Sequence, residues 1–317
     1  MTAPVCQTFP MTTSRLIHTA QALVDDVIDV PALPRRGWNI VAAGHALYAG
    51  GAVTTLAAAA RSGACCVHAG SVGTGPYGGL IREALAQAGV TISSPPVTQT
   101  DTGVCLVFVE PTAERTFITI QGAERHISVE SLASAAPRPG DYVAVSGYTL
   151  QGASGTPLLA WLETLPAGVE VVLDPSSAFA ELDEATRAAA LSATTIWTSN
   201  AEEAEAMTGD ADMRTSAALV AEHLRPGAMT IVRDGPAGCT VHQNGVTTVV
   251  PGFPQTPRDS NGAGDTHTGV MLAELLAGTD PVTAARRANA AGAIKVTRHG
   301  LQPAPTKAEI DDFLARQ

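Results

Sequence analysis

Two kinds of hydrophobic pattern alternate along most of the chain. Short runs rich in β-branched residues predict strands at 23–30, 65–72, 142–146, 169–173, 195–198 and 229–233. Between them, Ala- and Leu-rich runs of helical period predict helices at 52–61, 80–88, 157–165, 201–207, 263–277 and 281–297. Strand–helix alternation over this length predicts an α/β fold with a doubly wound, mostly parallel sheet flanked by helices.

Two β-rich segments, at about 25–50 and 98–122, break this alternation. Within the second segment, the runs 104–109 and 115–120 predict a hairpin. We expect the two segments to form a small, discontinuous β-sheet lid that covers a cleft of the main domain. The expected organisation is a disordered polar tail at 1–14 and one domain at 15–317.

Composition and charge narrow the classes of partner. The 317 residues carry a net charge of −11, and an acidic surface disfavours nucleic acid and anionic membranes. No apolar run reaches about 18 residues without a charge or a turn residue, so no membrane span is expected. The only lysines are Lys295 and Lys307, so a phosphate site must use arginine, backbone N–H groups or a metal ion. The five cysteines form no C-x-x-C pair, which predicts buried free thiols of a cytoplasmic protein.

The segment 259–265, Asp-Ser-Asn-Gly-Ala-Gly-Asp, is the motif that carries the most chemistry. Its small residues Gly262, Ala263 and Gly264 let the backbone approach a ligand closely, and they open a predicted helix whose N-terminus favours an anion. Asp265 beside such an anion site can accept a proton from an incoming hydroxyl group. The same residues also fit a glycine-rich helix N-terminus with an acidic first turn and no catalytic role. Spacing alone does not decide between this structural role and the catalytic one.

The stretch 259–272 resembles the C-terminal signature of the ribokinase-like (PfkB) carbohydrate kinases. The resemblance implies that Asp265 is the catalytic base and that the backbone amides of Gly262, Ala263 and Gly264 form the anion hole for the transferred phosphoryl group. It implies a ribokinase-like fold, ATP and Mg²⁺ as cofactors, and a small-molecule sugar or nucleoside as the acceptor. This chain departs from the family at Val270, where Gly or Ala is usual, and at His267, where Phe is commoner.

Further matches assign the nucleotide side of the site. Asn200-Ala-Glu-Glu203 resembles the family's N-x-x-E motif, which implies that Asn200 and Glu203 organise Mg²⁺ and the phosphates, largely through water. An Asn cap before a helix gives the same letters. The positions that the resemblance places near ATP are Asn200, Arg233, Gly235, Gly238 and Asn289. The segment 296–300 resembles a cation-binding loop of several members, which implies K⁺.

The acceptor side matches the family less well. Asp25 resembles an early strand-end Asp that binds substrate hydroxyls, and Gly50-Gly51 resembles a diglycine that approaches the sugar. Thr54 stands where the family has an Asn, so the resemblance leaves the acceptor, a sugar or a nucleoside, unnamed. Lid sheets of the family often pair, which implies a homodimer.

Two other functions fit parts of the sequence. Gly73-x-Gly75-x-x-Gly78 follows an apolar run and precedes a helix, as the fingerprint of an NAD(P)-dependent oxidoreductase does. Against that interpretation, Pro76 removes one N–H group from the loop, and the next β-rich segment offers no acidic residue for a ribose. The third hypothesis is a non-catalytic protein that binds a sugar or nucleotide; the presence of Asp265 argues against it.

Overall fold

The computed structural model describes residues 13–112, 114–298 and 303–317. Its strands are β1 (Arg15–His18), β2 (Val24–Asp29), β3 (Gly44–Ala49), β4 (Cys65–His68), β5 (Thr91–Ile92), β6 (Val104–Val109), β7 (Arg115–Ile120), β8 (Tyr142–Ser146), β9 (Glu170–Asp174), β10 (Ile196–Asn200), β11 (Met229–Arg233), β12 (Gly238–Gln243) and β13 (Val246–Pro251). Its α-helices are α1 (Ala52–Arg61), α2 (Pro76–Gln87), α3 (Val129–Ala133), α4 (Gly147–Leu150), α5 (Gly155–Leu162), α6 (Glu184–Ala193), α7 (Ala201–Thr208), α8 (Met213–Glu222), α9 (Ala263–Leu276), α10 (Pro281–Val296) and α11 (Lys307–Leu314).

Nine strands form the main sheet, in the order β13-β12-β11-β10-β9-β8-β1-β4-β5. The seven strands from β11 to β5 are parallel, whereas β12 and β13 add an antiparallel edge. Consecutive residues of a strand enter two different hydrophobic clusters, as Leu16 and Ile17 of β1 do. Burial on both faces is why these strands read as continuous apolar runs. The predicted doubly wound, mostly parallel sheet is confirmed.

The other four strands form a smaller sheet, called the lid below, in the order β3-β2-β6-β7. The predicted hairpin is confirmed as β6 and β7, with Val104 opposite Ile120. Side chains alternate along a strand, so Arg115, Phe117 and Thr119 of β7 share the face toward the main sheet. The other face carries Ile118 and Ile120, which are exposed.

The carboxyl ends of five neighbouring parallel strands meet beneath the lid. These strands end at His18, Ser146, Asp174, Asn200 and Arg233. The register places Ser146 beside Asp174 and Asn200 beside Arg233. Ligands of open α/β sheets bind at this edge of the sheet, so the polar residues at these strand ends are the natural place to look for a site.

Several predicted elements differ in extent from the observed ones. The strand expected at 65–72 ends at His68, and the helix expected at 80–88 already begins at Pro76, because proline fits the first helical turn. The hydrophobic pattern predicts no strand at β1 and no helix at α6, α8 or α11. The expected tail at 1–14 falls almost wholly outside the described residues.

The cysteines and helices agree with two further expectations. Cys65, Cys66, Cys105 and Cys239 are buried and form no disulfide bond, whereas Cys6 lies outside the described residues. Within the described part of the chain, no helix is long and apolar enough to cross a membrane.

Candidate active site

The glycine turn leads directly into helix α9. Gly262 caps the helix with φ 68°, a left-handed conformation that favours glycine. A Cβ at this position would stand 3.0 Å from Thr54 Cγ2 and 3.6 Å from Lys295 Cε. The turn is therefore packed on both sides, and the N–H groups of the first turn of α9 are held at a fixed place.

Asp265 lies in that first turn and is held by helix α1. Thr55 Oγ1 donates to Asp265 Oδ1 at 3.2 Å. The contact depends on Gly269, because a Cβ there would stand 2.3 Å from the Thr55 carbonyl oxygen and would push α1 and α9 apart. Burial and then the charge of Asp174 raise the pKa of Asp265 to about 6, against the opposing effects of Arg233 and Thr55. A carboxylate with this pKa is suited to take a proton near neutral pH.

Asp25 faces Asp265 from the lid. Burial, and then the charge of Asp265, raise the pKa of Asp25 to about 6. The diglycine makes room for it: a Cβ on Gly50 would stand 2.3 Å from Asp25 Oδ2. Gly51 has φ 59°, and a Cβ there would stand 2.3 Å from the Gln21 carbonyl oxygen. Both glycines are thus required for the chain to turn against β2.

Two cavities meet at Asp265. The first, about 550 Å³, lies under the lid and is lined by Asp25, Gly51, Thr55 and Asp265 among others; it is called the acceptor cavity below, after the predicted acceptor residues in its wall. The second, about 690 Å³, is called the nucleotide cavity after the predicted ATP residues in its wall, and its lining includes Asn200, Glu203, Arg233, Gly235, Gly238, Gly264, Asp265 and Asn289. The residues shared by both walls are Tyr148, Asp174, Ser176 and Asp265.

The predicted substrate residues are not all at the acceptor cavity. Asp25 and Gly51 line it, and Gly50 contacts Asp25, but Thr54 lies against Gly262. Its neighbour Thr55, which the sequence analysis did not name, lines the cavity and contacts Asp265. The helical period decides which of the two adjacent threonines faces the site.

Asn200 and Glu203 form a capping box while facing the nucleotide cavity. Asn200 Oδ1 accepts from the Glu203 N–H at 2.7 Å, and Glu203 Oε2 accepts from the Asn200 N–H at 2.9 Å. The two residues therefore do cap helix α7, as their spacing also allowed, and this capping box fixes both side chains at the cavity wall. Burial and then the charge of Asp174 raise the pKa of Glu203.

The donor set around these residues suits a hydrated divalent ion. Among the described residues, no cluster of three or more His, Cys, Asp or Glu side chains could enclose a metal. Glu203 and Asp174 nevertheless lie close enough to repel each other, so a cation at this wall would relieve their repulsion. Mg²⁺ binds through one or two carboxylates and keeps several waters or phosphate oxygens, and the residues present fit that mode.

Arg233 is the cation of the nucleotide cavity and ties β11 to α9. Its guanidinium donates to the Gly264 carbonyl oxygen at 3.3 Å and to Thr268 Oγ1. Its other terminal nitrogen lies 3.5 Å from Asp174 Oδ2, and the side chain is only 11% exposed. These contacts place a fixed positive charge beneath the first turn of α9.

Asn289 uses its amide for internal bonds. Asn289 Nδ2 donates to the carbonyl oxygens of Val250 and Pro251 at 3.0 and 3.2 Å. Its Oδ1 lies 3.1 Å from His267 Nε2. Because burial lowers the pKa of His267 to about 3, the ring is neutral and donates from Nε2. Asn289 therefore joins β13 to α9 and α10 at the wall of the nucleotide cavity.

The loop 73–78, which resembles a dinucleotide-binding fingerprint, already binds a carboxylate of the protein itself. Asp101 accepts hydrogen bonds from the N–H groups of Gly75, Tyr77 and Gly78 at 2.9–3.0 Å. Burial opposes ionisation of Asp101, but these bonds outweigh it and lower its pKa. The N–H groups that a pyrophosphate would need are therefore occupied. The β-rich segment expected after this loop is reduced to the two residues of β5.

Two cationic residues, Arg115 and Lys295, lie at the glycine turn. Arg115 of the lid lies 2.5 Å from Asp259 Oδ1, and the same oxygen accepts from the Asn261 N–H at 2.9 Å. Lys295 is 3% exposed and lies behind Gly262; burial lowers its pKa, whereas the charge of Asp259 opposes that effect. A lysine in the Ala-rich run of α10 was the available signal, because charged residues are rarely buried without a reason.

The sequence matches a known family over most of its length. The family described as pfkB family carbohydrate kinase matches residues 22–308. An uncharacterised sugar kinase, YegV, of Escherichia coli K12 is 31% identical over 304 residues, which are 95% of this chain and 94% of that protein.

Solved structures show the same fold. Arabidopsis thaliana ribokinase, complexed with ribose and ATP, has a TM-score of 0.79 at 21% identity and covers 96% of this chain and 99% of its own. A putative ribokinase II of E. coli in complex with ATP and Mg²⁺ has a TM-score of 0.80 at 22% identity, covering 96% and 100%. The predicted ribokinase-like fold is confirmed, and the chain belongs to the pfkB family of carbohydrate kinases, enzymes that transfer a phosphoryl group to a hydroxyl group.

Proposed function

We propose that this protein transfers the γ-phosphoryl group of ATP to a hydroxyl group of a sugar or nucleoside, with Asp265 as the base. The observation that carries the proposal is the position of Asp265 at the junction of the two cavities, in the first turn of α9. An acceptor hydroxyl in one cavity and a terminal phosphate in the other would meet at this carboxylate.

The first turn of α9 supplies the anion site. The backbone N–H groups of Gly262, Ala263 and Gly264 lie at a helix N-terminus, where the helix dipole favours negative charge. Arg233 adds a fixed cation through its bond to the Gly264 carbonyl oxygen. Donors that are in place before the reaction stabilise the charge that develops on the transferred group.

The acceptor is oriented by the two carboxylates under the lid. Asp25 would accept hydrogen bonds from hydroxyl groups of the acceptor, and Asp265 would remove the proton from the attacking one. Thr55 holds the Asp265 carboxylate in place through its 3.2 Å hydrogen bond. The lid, in contact with the glycine turn through Arg115 and Asp259, excludes water and limits ATP hydrolysis.

Asn200 and Glu203 would hold Mg²⁺ at the nucleotide cavity, largely through water, and the ion would neutralise charge on the phosphates. Gly235, Gly238 and Asn289 lie at the wall where the rest of the nucleotide would bind.

Three expectations stay predictions. The K⁺ site expected at 296–300 involves His299 and Gly300, which lie outside the described residues. The expected homodimer would use the outer face of the lid, where Ile118 and Ile120 are exposed. The expected cytoplasmic location is consistent with described cysteines that form no disulfide bond.

An acceptor-dependent ADP-release assay tests the proposal. Sugars, sugar phosphates and nucleosides are each incubated with the protein and Mg·ATP, and at least one should accelerate ADP release over the rate without acceptor. The same sample is titrated with NAD⁺ and NADP⁺. Dinucleotide binding without any acceptor-dependent ADP release would favour the oxidoreductase alternative, and ATP binding without turnover would favour the non-catalytic one.

A further inference from the structure

Two aromatic rings are exposed on the walls of the acceptor cavity. Phe117 of β7 is 60% exposed and Tyr148 of α4 is 48% exposed, and both line the cavity. Ile118 and Ile120 are also exposed but belong to the outer face of the lid. The aromatic surface in the cavity is therefore available to a ligand rather than to the protein core.

The exposure of Phe117 is not caused by a lid that stands away from the domain. Arg115 lies two residues before Phe117 on the same face of β7 and contacts Asp259 at 2.5 Å. This face of the lid thus already reaches the glycine turn. Phe117 is exposed because the cavity leaves unfilled space beneath its ring.

The cavity offers more room than a free sugar needs. Its hydroxyl-binding end is marked by Asp25, Thr55 and Asp265, which are linked by a hydrogen bond and by charge. At about 550 Å³ the cavity falls in the range of roughly 300–1,000 Å³ that holds drug-sized ligands. A monosaccharide at the carboxylates would leave the two rings uncovered, whereas a planar aromatic group attached to the sugar would bury them.

Hydrogen bonds hold the cavity wall that carries Tyr148 in place. Tyr148 Oη lies 2.9 Å from Ser177 Oγ, which fixes the ring. Arg125 donates to the carbonyl oxygens of Tyr148 and Gln151, and Gln21 Nε2 donates to the Tyr148 carbonyl oxygen at 3.0 Å. The segment 148–151 is therefore anchored at both ends.

Carboxamide groups surround the same space. Gln21, Gln121 and Gln151 line the cavity. A carboxamide presents a donor and an acceptor side by side, which matches the edge of a heterocyclic base. Gln21 already donates to the Tyr148 carbonyl oxygen, so Gln121 and Gln151 are the carboxamides that a ligand would meet. An alkyl or simple phenyl group would leave these two without partners, so the lining favours a base over an apolar aglycone.

We propose that the acceptor of this kinase is a nucleoside, with its sugar at Asp25 and Asp265 and its base between Phe117 and Tyr148. The inference rests on the proposed function and narrows its substrate class. Stacking on aromatic side chains contributes about 1–3 kcal/mol per base by alanine substitution, which corresponds to roughly 5-fold to 150-fold in kcat/KM.

A comparison of nucleosides with free sugars tests the proposed acceptor class. Uridine, cytidine, inosine and guanosine are compared with ribose and 2-deoxyribose in the ADP-release assay; adenosine is left out because it can compete at the nucleotide cavity. We expect at least one nucleoside to exceed the matching free sugar in kcat/KM by tenfold or more. Free sugars that equal or exceed every nucleoside would overturn the inference while leaving the kinase function intact. A protein that turns over none of the sugars, sugar phosphates and nucleosides of the wider ADP-release panel would overturn both.

Phe117→Ala tests the stacking wall, with Val246→Ala as the control, because Val246 is another exposed apolar residue and lines neither cavity. Phe117→Ala should lower kcat/KM for the best nucleoside by roughly 5-fold to 150-fold, and Phe117→Trp should retain it. The Val246→Ala protein should behave like the wild type, and equal thermal melting of the variants shows that each is folded. Nucleoside kinetics unchanged in Phe117→Ala would contradict the proposal.

Discussion

The two cavities that meet at Asp265 are built in different ways. Around the nucleotide cavity, polar side chains are committed to the protein: Asn200 and Glu203 cap a helix, and Asn289 bonds two carbonyl oxygens. Around the acceptor cavity, Gln21 and Arg125 are likewise bonded to backbone carbonyl oxygens, but Asp25, Gln121 and Gln151 also line the space. The polar wall of the nucleotide cavity is thus more fully fixed by internal bonds than that of the acceptor cavity.

This difference fits the two tasks of a kinase. A phosphate donor that is the same in every turnover is served by a preorganised wall, because fixed donors cost no rearrangement during the reaction. An acceptor that varies between relatives of one fold is served by side chains that can be exchanged without disturbing the sheet. We therefore expect substitutions in the acceptor cavity to change which substrate is used, and substitutions at the junction to change the rate.

A substitution of Asp265, at the junction of the two cavities, should have the largest effect on turnover. Asp265→Asn removes the proton acceptor while keeping the size of the side chain, and loss of a general base lowers kcat by roughly 10²–10⁴-fold. The measurement is acceptor-dependent ADP release under saturating Mg·ATP, with ATP binding followed by calorimetry. Near-normal turnover in a folded variant would remove Asp265 from the mechanism.

A pair of variants separates the two cavities. Asp25→Ala should raise the KM for the acceptor by roughly 10-fold to 100-fold, because hydrogen bonds to a charged group contribute about 1.5–3 kcal/mol. Its KM for ATP should change by about twofold at most. Glu203→Gln should show the reverse pattern, with the larger change in the KM for Mg·ATP. Equal changes in both constants for either variant would mean that the cavities are not separate sites.

Acid pH should affect the acceptor cavity and the junction together. Burial raises the pKa of both Asp25 and Asp265 to about 6, so kcat/KM should fall as the pH drops below about 6 and both groups become protonated. A flat profile down to pH 5 in a protein that stays folded would contradict these environments.

The smallest expected effect is on stability. Because the folded pKa of Asp265 lies above its unfolded value of 3.8, this group's contribution to stability is present at low pH and is lost as the pH rises through about 6. At pH 7.5, Asp265→Asn should therefore stabilise the protein by about 1–2 kcal/mol, or roughly 2–5 °C in Tm. The gain should shrink near pH 4, and a variant that melts below the wild type at pH 7.5 would reverse the expected sign.

The sequence predicted the main sheet and the lid hairpin because both rest on local patterns. Strands β8 and β11 are short runs rich in apolar and β-branched residues, and β6 and β7 are two such runs joined by a short turn. Strand β1 was missed because its four residues follow a polar segment without a turn signal between them. Helices α6 and α8 were missed although Asp183 and Asp212 cap them, because few large side chains mark a buried face: the buried residues are Ala190 in α6 and Ser216, Ala217 and Val220 in α8.

Contacts between distant segments of the chain limit how much of the candidate site the sequence can predict. Asp265 and Asn200 could be named from their motifs, but Thr55 meets Asp265 across 210 positions and Arg115 meets Asp259 across 144. The internal carboxylate at the Gly73 loop is likewise 23–26 positions away from the amides it binds. A motif shows which groups are able to react, whereas such long-range contacts decide which of them face each other.

A crystal structure of the protein with a non-hydrolysable ATP analogue, Mg²⁺ and the best acceptor tests the central claim most directly. The account predicts one acceptor hydroxyl within about 2.6–3.2 Å of an Asp265 carboxylate oxygen, with the terminal phosphate at the first turn of α9. An acceptor whose hydroxyls all lie beyond that reach, with another side chain next to the attacking oxygen, would contradict it.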